Sequence, residues 1–189
     1  MNTVDLMNLQ SRLRGPVIGP DDATYDPERT GFNLDRPHRP ALIAGALDAD
    51  DVAAAFAFAR EHDLPLGVQA TGHGRGARLD GGVLISTSRM RGLRVDPGSR
   101  TARIEAGVRW EEVIAAAAGH GLAPLNGSSP NVSAVGYTLA GGLGLLGRTY
   151  GWAADHVRAL EVVTPDGRLR QATRESEPEL FWGLRGGGG

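Results

Sequence analysis

Two stretches of this 189-residue sequence hold residues whose types and spacing could do chemistry. One is a histidine set among glycines, Thr71-Gly72-His73-Gly74-Arg75-Gly76. The other runs from Gly127-Ser128-Ser129-Pro130 through Gly136-Tyr137-Thr138-Leu139-Ala140-Gly141-Gly142-Leu143-Gly144. An imidazole is a nucleophile and a proton carrier near neutral pH. Glycines on either side allow positive φ and clear space around the ring. Successive main-chain N–H groups without side chains make concavities for anions. Two such runs suit a cofactor that carries a pyrophosphate. The plain alternative for His73 is a loop histidine that caps a turn or bonds a carbonyl.

The elements around these stretches place them. Ala41-Leu42-Ile43-Ala44 is a short apolar run suited to a strand, and Asp48 to Asp51 offer N-caps and first-turn acids. Val52–His62 is an alanine-rich helix, and Leu66–Ala70 reads as the next strand. This β–α–β unit puts His73 past the carboxyl end of its second strand, where open α/β sheets bind ligands. Further strands are expected at Gly82–Thr87, Leu93–Asp96 and Thr101–Ala106, with the turn Asp96-Pro97-Gly98-Ser99 before the last. Arg109–His120 reads as a second helix, with Trp110, Val113, Ile114 and Ala117 on one face and Gly121 as its stop. Val157–Val163 and Leu169–Ala172 read as a hairpin around Pro165-Asp166-Gly167. Residues 1–40, punctuated by five prolines, read as irregular apart from a short helix at Val4–Leu13. The fold class is α+β.

Composition removes several classes of function. There is no cysteine, so disulfides, thiolate metal sites and cysteine nucleophiles are excluded. A net charge of −2 gives no basic surface for nucleic acid. No apolar run of 18 residues exists, and the start lacks a basic and then apolar leader, so no membrane is expected and a cytoplasmic location is. His38, His62, His120 and His156 are scattered, with no metal-ligating spacing. The acids at Asp50-Asp51 and Glu111-Glu112 lie in first helical turns, and Asp155 reads as a cap before a strand. No Gly-x-Ser-x-Gly pattern supports serine-hydrolase chemistry.

Taken in order, the motifs carry a resemblance. Gly72-His73, Leu79-Asp80-Gly81-Gly82, Glu105-Ala106-Gly107, Val135 through Gly144, Arg148-Thr149-Tyr150-Gly151, Ala154-Asp155, Glu161 to Thr164, Asp166-Gly167 and Leu180-Phe181-Trp182 follow one another with compatible gaps from Pro40 to Gly189. This series resembles the FAD-linked oxidases of the vanillyl-alcohol oxidase superfamily. It is most similar to the bacterial berberine-bridge-enzyme-like oxidases, which have a p-cresol-methylhydroxylase-type FAD domain. The resemblance implies two small α/β subdomains, residues 40–93 and 94–189, after an N-terminal segment 1–39. It implies hydride transfer from an alcohol, sugar or secondary metabolite to FAD, with dioxygen as electron acceptor.

By the same resemblance, His73 matches the histidine bonded covalently to the flavin 8α-methyl carbon. Gln69, Ala70, Thr71, Gly72, Gly74 and Arg75 match the pyrophosphate loop. Gly107 matches a turn near the flavin. Ser133, Val135, Gly136, Tyr137, Thr138, Gly141 and Gly142 match the segment lining pyrophosphate and isoalloxazine, and Val162 or Val163 would lie by the adenine. Some relatives add a cysteine link in a Gly-x-Cys-Pro pattern. Ser129 holds that position here, and serine cannot form the thioether. No catalytic base is assigned, since in the family it lies in a substrate domain beyond residue 189. The terminal glycines read as a loop whose continuation is absent.

Two other readings stand beside this one. The first is a flavin-binding module without turnover. The second takes Gly142-Leu143-Gly144-Leu145-Leu146-Gly147 as a nicotinamide fingerprint. That needs a strand before it and a helix after it, whereas Ser133–Ala140 makes a poor strand and Arg148–Gly151 a poor helix. Tyr137, Leu139, Leu143 and Tyr150 could wall an isoalloxazine slot or simply pack in a core.

Overall fold

The computed structural model describes residues 3–74 and 77–187. They form two compact units. One takes the chain up to Met90 together with Val163–Arg170; the other takes Arg91–Val162 and the chain from Gln171.

In the first unit the elements follow the order α1 (Thr3–Arg12), β1 (Val17–Ile18), α2 (Tyr25–Thr30), β2 (Leu42–Gly45), α3 (Ala49–Glu61), β3 (Leu66–Gln69) and β4 (Val83–Ser86). The strands make one sheet in the order β1-β2-β4-β3. β1 runs antiparallel to β2, and β4 is parallel to both neighbours, with Ile43 and Gly67 each opposite Leu84. Successive strand residues face opposite sides. Leu42, Ala44, Val83 and Ile85 meet Leu9, Leu13 and Phe58 in one cluster, while Ile43 and Leu84 meet Ile18 and Leu79 in another. Burying Phe58 completely contributes about 2–3 kcal/mol. Helix α3 starts where expected, because the Asp48 carboxylate accepts from the Asp50 and Asp51 amides. Asp51 is more than a first-turn acid. It is buried, and it accepts from the Arg14, Gly15 and Leu47 amides.

Residues 1–40 are more regular than their prolines suggest. Besides α1 they supply β1 and α2, and Pro27 falls in the first turn of α2, where its missing N–H would have had no helical partner.

The second unit begins with the antiparallel pair β5 (Leu93–Asp96) and β6 (Thr101–Ile104). The Asp96 carboxylate caps its turn by accepting from Gly98 and Ser99. Helix α4 (Trp110–Ala118) buries Trp110, Val113 and Ala117. It stops before Gly121, whose φ of 67° lets Leu122 donate back to Ala117. Short helices α5 (Ala134–Leu139) and α6 (Gly147–Tyr150) follow, then a 3-10 turn at Ala153–His156. β7 (Leu160–Val163) pairs with β8 (Leu169–Ala172), the turn end of this hairpin, Val163–Arg170, being counted with the first unit, and α7 is Pro178–Gly183. β7 starts three residues later than expected, after a 3-10 turn in which Asp155 accepts the Trp152 amide and an extended stretch that begins at Val157. Arg148–Tyr150, expected to be non-helical, lie in the single turn α6. Among the described residues no helix is long and apolar enough to cross a membrane.

Candidate functional site

The chain leaves β3 at Gln69, which is buried and donates from Nε2 to the Glu28 carbonyl at 3.0 Å. Gly72 then adopts φ 68°, and a Cβ there would lie 3.0 Å from Gly31 Cα and 3.2 Å from Phe32 N. Only glycine permits that approach. It lets the 31–33 segment lie along the loop, where Phe32 N donates to Thr71 O at 2.8 Å and Asn33 N to Gly72 O at 3.1 Å. Two consecutive loop carbonyls are thereby tied down. No acceptor among the described residues takes the Gly72 or Gly74 N–H, and the space beside Gly74 is open. Ala70 and Thr71 are half-buried between Gln69 and Gly72. Arg75, expected in the same loop, lies outside the described residues, as does Gly76.

His73 is held on two sides. Its ring stacks on Phe32 with centroids 3.8 Å apart and planes 7° from parallel, and Nδ1 is 2.9 Å from Thr71 Oγ1.

The segment that carries Phe32 is itself anchored. Helix α2 ends just before it, and Glu28 on that helix accepts from Arg89 Nη1 at 2.6 Å and Nη2 at 3.0 Å, and from the Ser88 hydroxyl at 3.1 Å and the Ser86 hydroxyl. Burial pushes the Glu28 carboxyl up more than any other single effect. The hydrogen bonds from Arg89 and Ser86, with the Arg89 charge and Ser88, together outweigh it and hold the group below the usual glutamate value. Glu28, Arg89 and Phe32 escaped the sequence reading, and Gly31 before an apolar residue was the one local sign of a close approach.

The second glycine stretch repeats the same arrangement. Gly141 and Gly142 have φ of 99° and 70° and end α5. Their carbonyls accept from Ala154 at 3.0 Å and Ala153 at 2.9 Å. No acceptor among the described residues takes the Gly142 N–H. Ser133 is buried and caps α5, accepting from Gly136 N at 3.2 Å and donating to Ala106 O at 3.0 Å. Ala134 N donates to Val108 O, so the Gly107 turn and the start of α5 lie together. Thr138 turns its hydroxyl back on Ala134 O at 2.7 Å, and Val135 is half-buried on the same helix.

Tyr137 packs edge-on against Trp110, with centroids 5.4 Å apart. A Cβ on Gly142 would lie 2.7 Å from the Tyr137 ring, and one on Gly127 2.9 Å. The glycines therefore close around this ring, whose hydroxyl is buried with no hydrogen-bond partner among the described residues. Leu143 and Tyr150 are exposed. Val162 and Val163 lie on β7, both half-buried. The stretch 142–147 follows a helix and not a strand, so the context of a nicotinamide fingerprint is missing.

Each glycine stretch ties its carbonyls inward and leaves main-chain donors, the groups a diphosphate needs. Among the described residues no group of three or more His, Asp or Glu side chains could hold a metal ion.

Comparisons with known proteins identify the family. The chain belongs to the FAD binding domain family, whose model matches residues 40–173. It is 35% identical over 178 residues to (R)-6-hydroxynicotine oxidase of Paenarthrobacter nicotinovorans, covering 93% of this chain and 39% of that protein. The crystal structure of 6-hydroxy-D-nicotine oxidase from Arthrobacter nicotinovorans superposes with a TM-score of 0.89 over 93% of this chain and 39% of that one, at 35% identity. A carbohydrate oxidase from Microdochium nivale gives a TM-score of 0.89 at 25% identity, over 97% of this chain and 40% of that one. The fold is the α+β FAD-binding fold of the vanillyl-alcohol oxidase type, homologous to FAD-linked oxidoreductases. The chain spans about two fifths of the length of these relatives, 39% to 40%.

Proposed function

We propose that this chain is the FAD-holding part of a flavin-dependent oxidoreductase, and that its two compact units, rather than segments cut at residues 40 and 93, are the cofactor-binding subdomains. The bound flavin would supply two-electron oxidation of an alcohol, sugar or secondary-metabolite carbon, taking hydride at N5 and passing the electrons to dioxygen. The protein's part is to hold, orient and shield. In this reading Gln69 to Arg75 contribute amides to the pyrophosphate, and Ser133, Val135, Gly136, Thr138, Gly141 and Gly142 line pyrophosphate and isoalloxazine. Tyr137 and Gly107 lie near the ring, and Val162 or Val163 lies by the adenine. His73 is the residue that would bond the flavin, as in berberine-bridge-enzyme-like oxidases.

One observation carries the reading. The Thr71 and Gly72 carbonyls are tied to Phe32 and Asn33, which leaves the Gly72 and Gly74 amides as donors beside an imidazole fixed by two contacts. Each charge-assisted bond from such an amide to a phosphate oxygen is worth about 1.5–3 kcal/mol. The test is to supply FAD, precipitate the chain with acid and read flavin absorbance in pellet and supernatant. Yellow colour in the wild-type pellet, moving to the supernatant in His73→Ala, is the expected result. Retention in His73→Ala would remove His73 from the bond. Failure of FAD to bind at all would end the proposal.

A further inference from the structure

We infer that Phe32 is a positioning residue for attachment of the cofactor at His73, an inference that rests on the histidyl-flavin reading above. A histidine ring on a glycine-flanked loop would ordinarily turn about its Cβ–Cγ bond. Here one ring face lies against Phe32, 3.8 Å away and within 7° of parallel, so rotation would break the stack. Thr71 Oγ1, 2.9 Å from Nδ1, fixes which edge of the ring faces which way.

The same residue straps the loop, since Phe32 N donates to Thr71 O at 2.8 Å. Ring and backbone of one residue thus set both the plane of the imidazole and the path of the chain that bears it. The support behind Phe32 is stiff. Glu28 anchors α2 to Arg89, Arg29 Nη1 donates to the His38 carbonyl at 2.8 Å, and Gly31 packs on Gly72. Phe32 is 63% exposed, so it does not build the core. Its removal should leave the fold standing.

The attachment it would assist balances as follows. A C–N bond forms between an imidazole nitrogen and the 8α carbon, while one N–H bond and one methyl C–H bond break. The two hydrogens and their electron pair pass to dioxygen, giving hydrogen peroxide and leaving the flavin oxidised. A bond of this kind needs the attacking nitrogen aimed at the carbon, and misplacing a reacting atom by about 1 Å costs about 100-fold in rate.

The experiment mixes the apo form of the chain with FAD and follows acid-stable flavin over time in wild type, Phe32→Ala, Phe32→Leu and Phe32→Tyr. Phe32→Ala should label about 100-fold more slowly. Phe32→Tyr should label near the wild-type rate, since a flat ring restores the stack, and Phe32→Leu should stay slow. Proton NMR of the apo chain should show His73 ring protons shifted upfield in wild type and Phe32→Tyr, and unshifted in Phe32→Ala. Wild-type labelling by Phe32→Ala would overturn the inference. So would wild-type labelling by Phe32→Leu, because apolar bulk would then suffice. Reversible FAD binding with no acid-stable flavin in wild type would bring down the histidyl reading, and this inference with it. Equal labelling by wild type and Phe32→Ala would bring down this inference alone.

Discussion

The Arg89 guanidinium meets the Glu28 carboxylate through two bonds, Nη1 to Oε1 at 2.6 Å and Nη2 to Oε2 at 3.0 Å. The pair is mostly shielded, with side-chain exposures of 14% for Glu28 and 30% for Arg89. Bidentate pairing fixes geometry as well as charge. It ties the helix that leads to Phe32 to the segment just after β4. Glu28→Gln keeps the size of the side chain but removes the charge, and should cost about 1–2 kcal/mol at pH 7. The folded carboxyl lies below its ordinary value. Its contribution is therefore present above the unfolded glutamate value, about 4.3, and is lost as pH falls through the folded one. Urea unfolding at pH 7 and at stepwise lower pH should show the gap between wild type and Glu28→Gln closing as the medium turns acid. A gap that stays constant would mean that the pair contributes by packing and not by charge.

Two glycines of the second stretch should answer differently to alanine. Gly142 has φ 70°, and its Cβ would lie 2.6 Å from Ala153 Cβ. Gly142→Ala therefore meets both backbone strain and overpacking, and should cost about 2–4 kcal/mol. Gly136 sits in α5, where its Cβ would make ordinary contacts of 3.7 and 3.8 Å with Ser133. Gly136→Ala should leave stability unchanged or raise it by up to about 1 kcal/mol. If FAD lies against α5, the added methyl should weaken its binding about tenfold, by crowding the ligand at the lower end of the about 1–3 kcal/mol that overpacking costs. Thermal unfolding and FAD titration of the two variants separate a glycine kept for the fold from one kept for the ligand.

The local elements were legible because they are written in nearby residues. Asp48, the alanine run of α3 and the apolar strands β2, β3 and β4 announce a β–α–β unit, and that unit alone places His73 beyond the end of β3. The hairpin around Asp96 and the stop at Gly121 were equally local. Helix α2 was hidden because Pro27 reads as a breaker unless the first turn is already known. Phe32 and Glu28 were hidden for a different reason. Their partners His73, Arg89 and Ser86 lie far along the chain, and no periodicity links residues that meet only when the chain folds. The role of Asp51 was half legible. Its place in the first turn of α3 was plain, whereas the three amides it accepts belong to other segments.

Those three amides give Asp51 a testable weight. Asp51→Ala would strip the acceptor from the Arg14, Gly15 and Leu47 N–H groups in a closely packed place, where a Cβ on Gly15 would lie 2.0 Å from Gly45 O. An unsatisfied buried donor costs about 1–3 kcal/mol. Asp51→Ala should therefore lose about 3 kcal/mol or more by denaturant unfolding, beyond the loss for Asp50→Ala, whose side chain is exposed. Asp51→Asn, which keeps an acceptor oxygen, should recover part of it. Equal losses for Asp50→Ala and Asp51→Ala would reduce both to helix-dipole partners.

Tyr137 offers a last discrimination, between core packing and cofactor contact. Its ring is enclosed by Trp110 and by Gly127 and Gly142, and burial pushes its phenol above the ordinary tyrosine value. The hydroxyl has no partner among the described residues. A buried hydroxyl without a hydrogen bond is a cost, so Tyr137→Phe should leave the apo chain as stable or more stable, by up to about 1 kcal/mol. If the bound cofactor meets that hydroxyl, the same change should weaken FAD binding about tenfold, the value of one hydrogen bond near 1.4 kcal/mol. Tyr137→Phe that stabilises the apo chain and binds FAD unchanged would assign the residue wholly to the core. A stable variant with weakened FAD binding would put the phenol at the ligand.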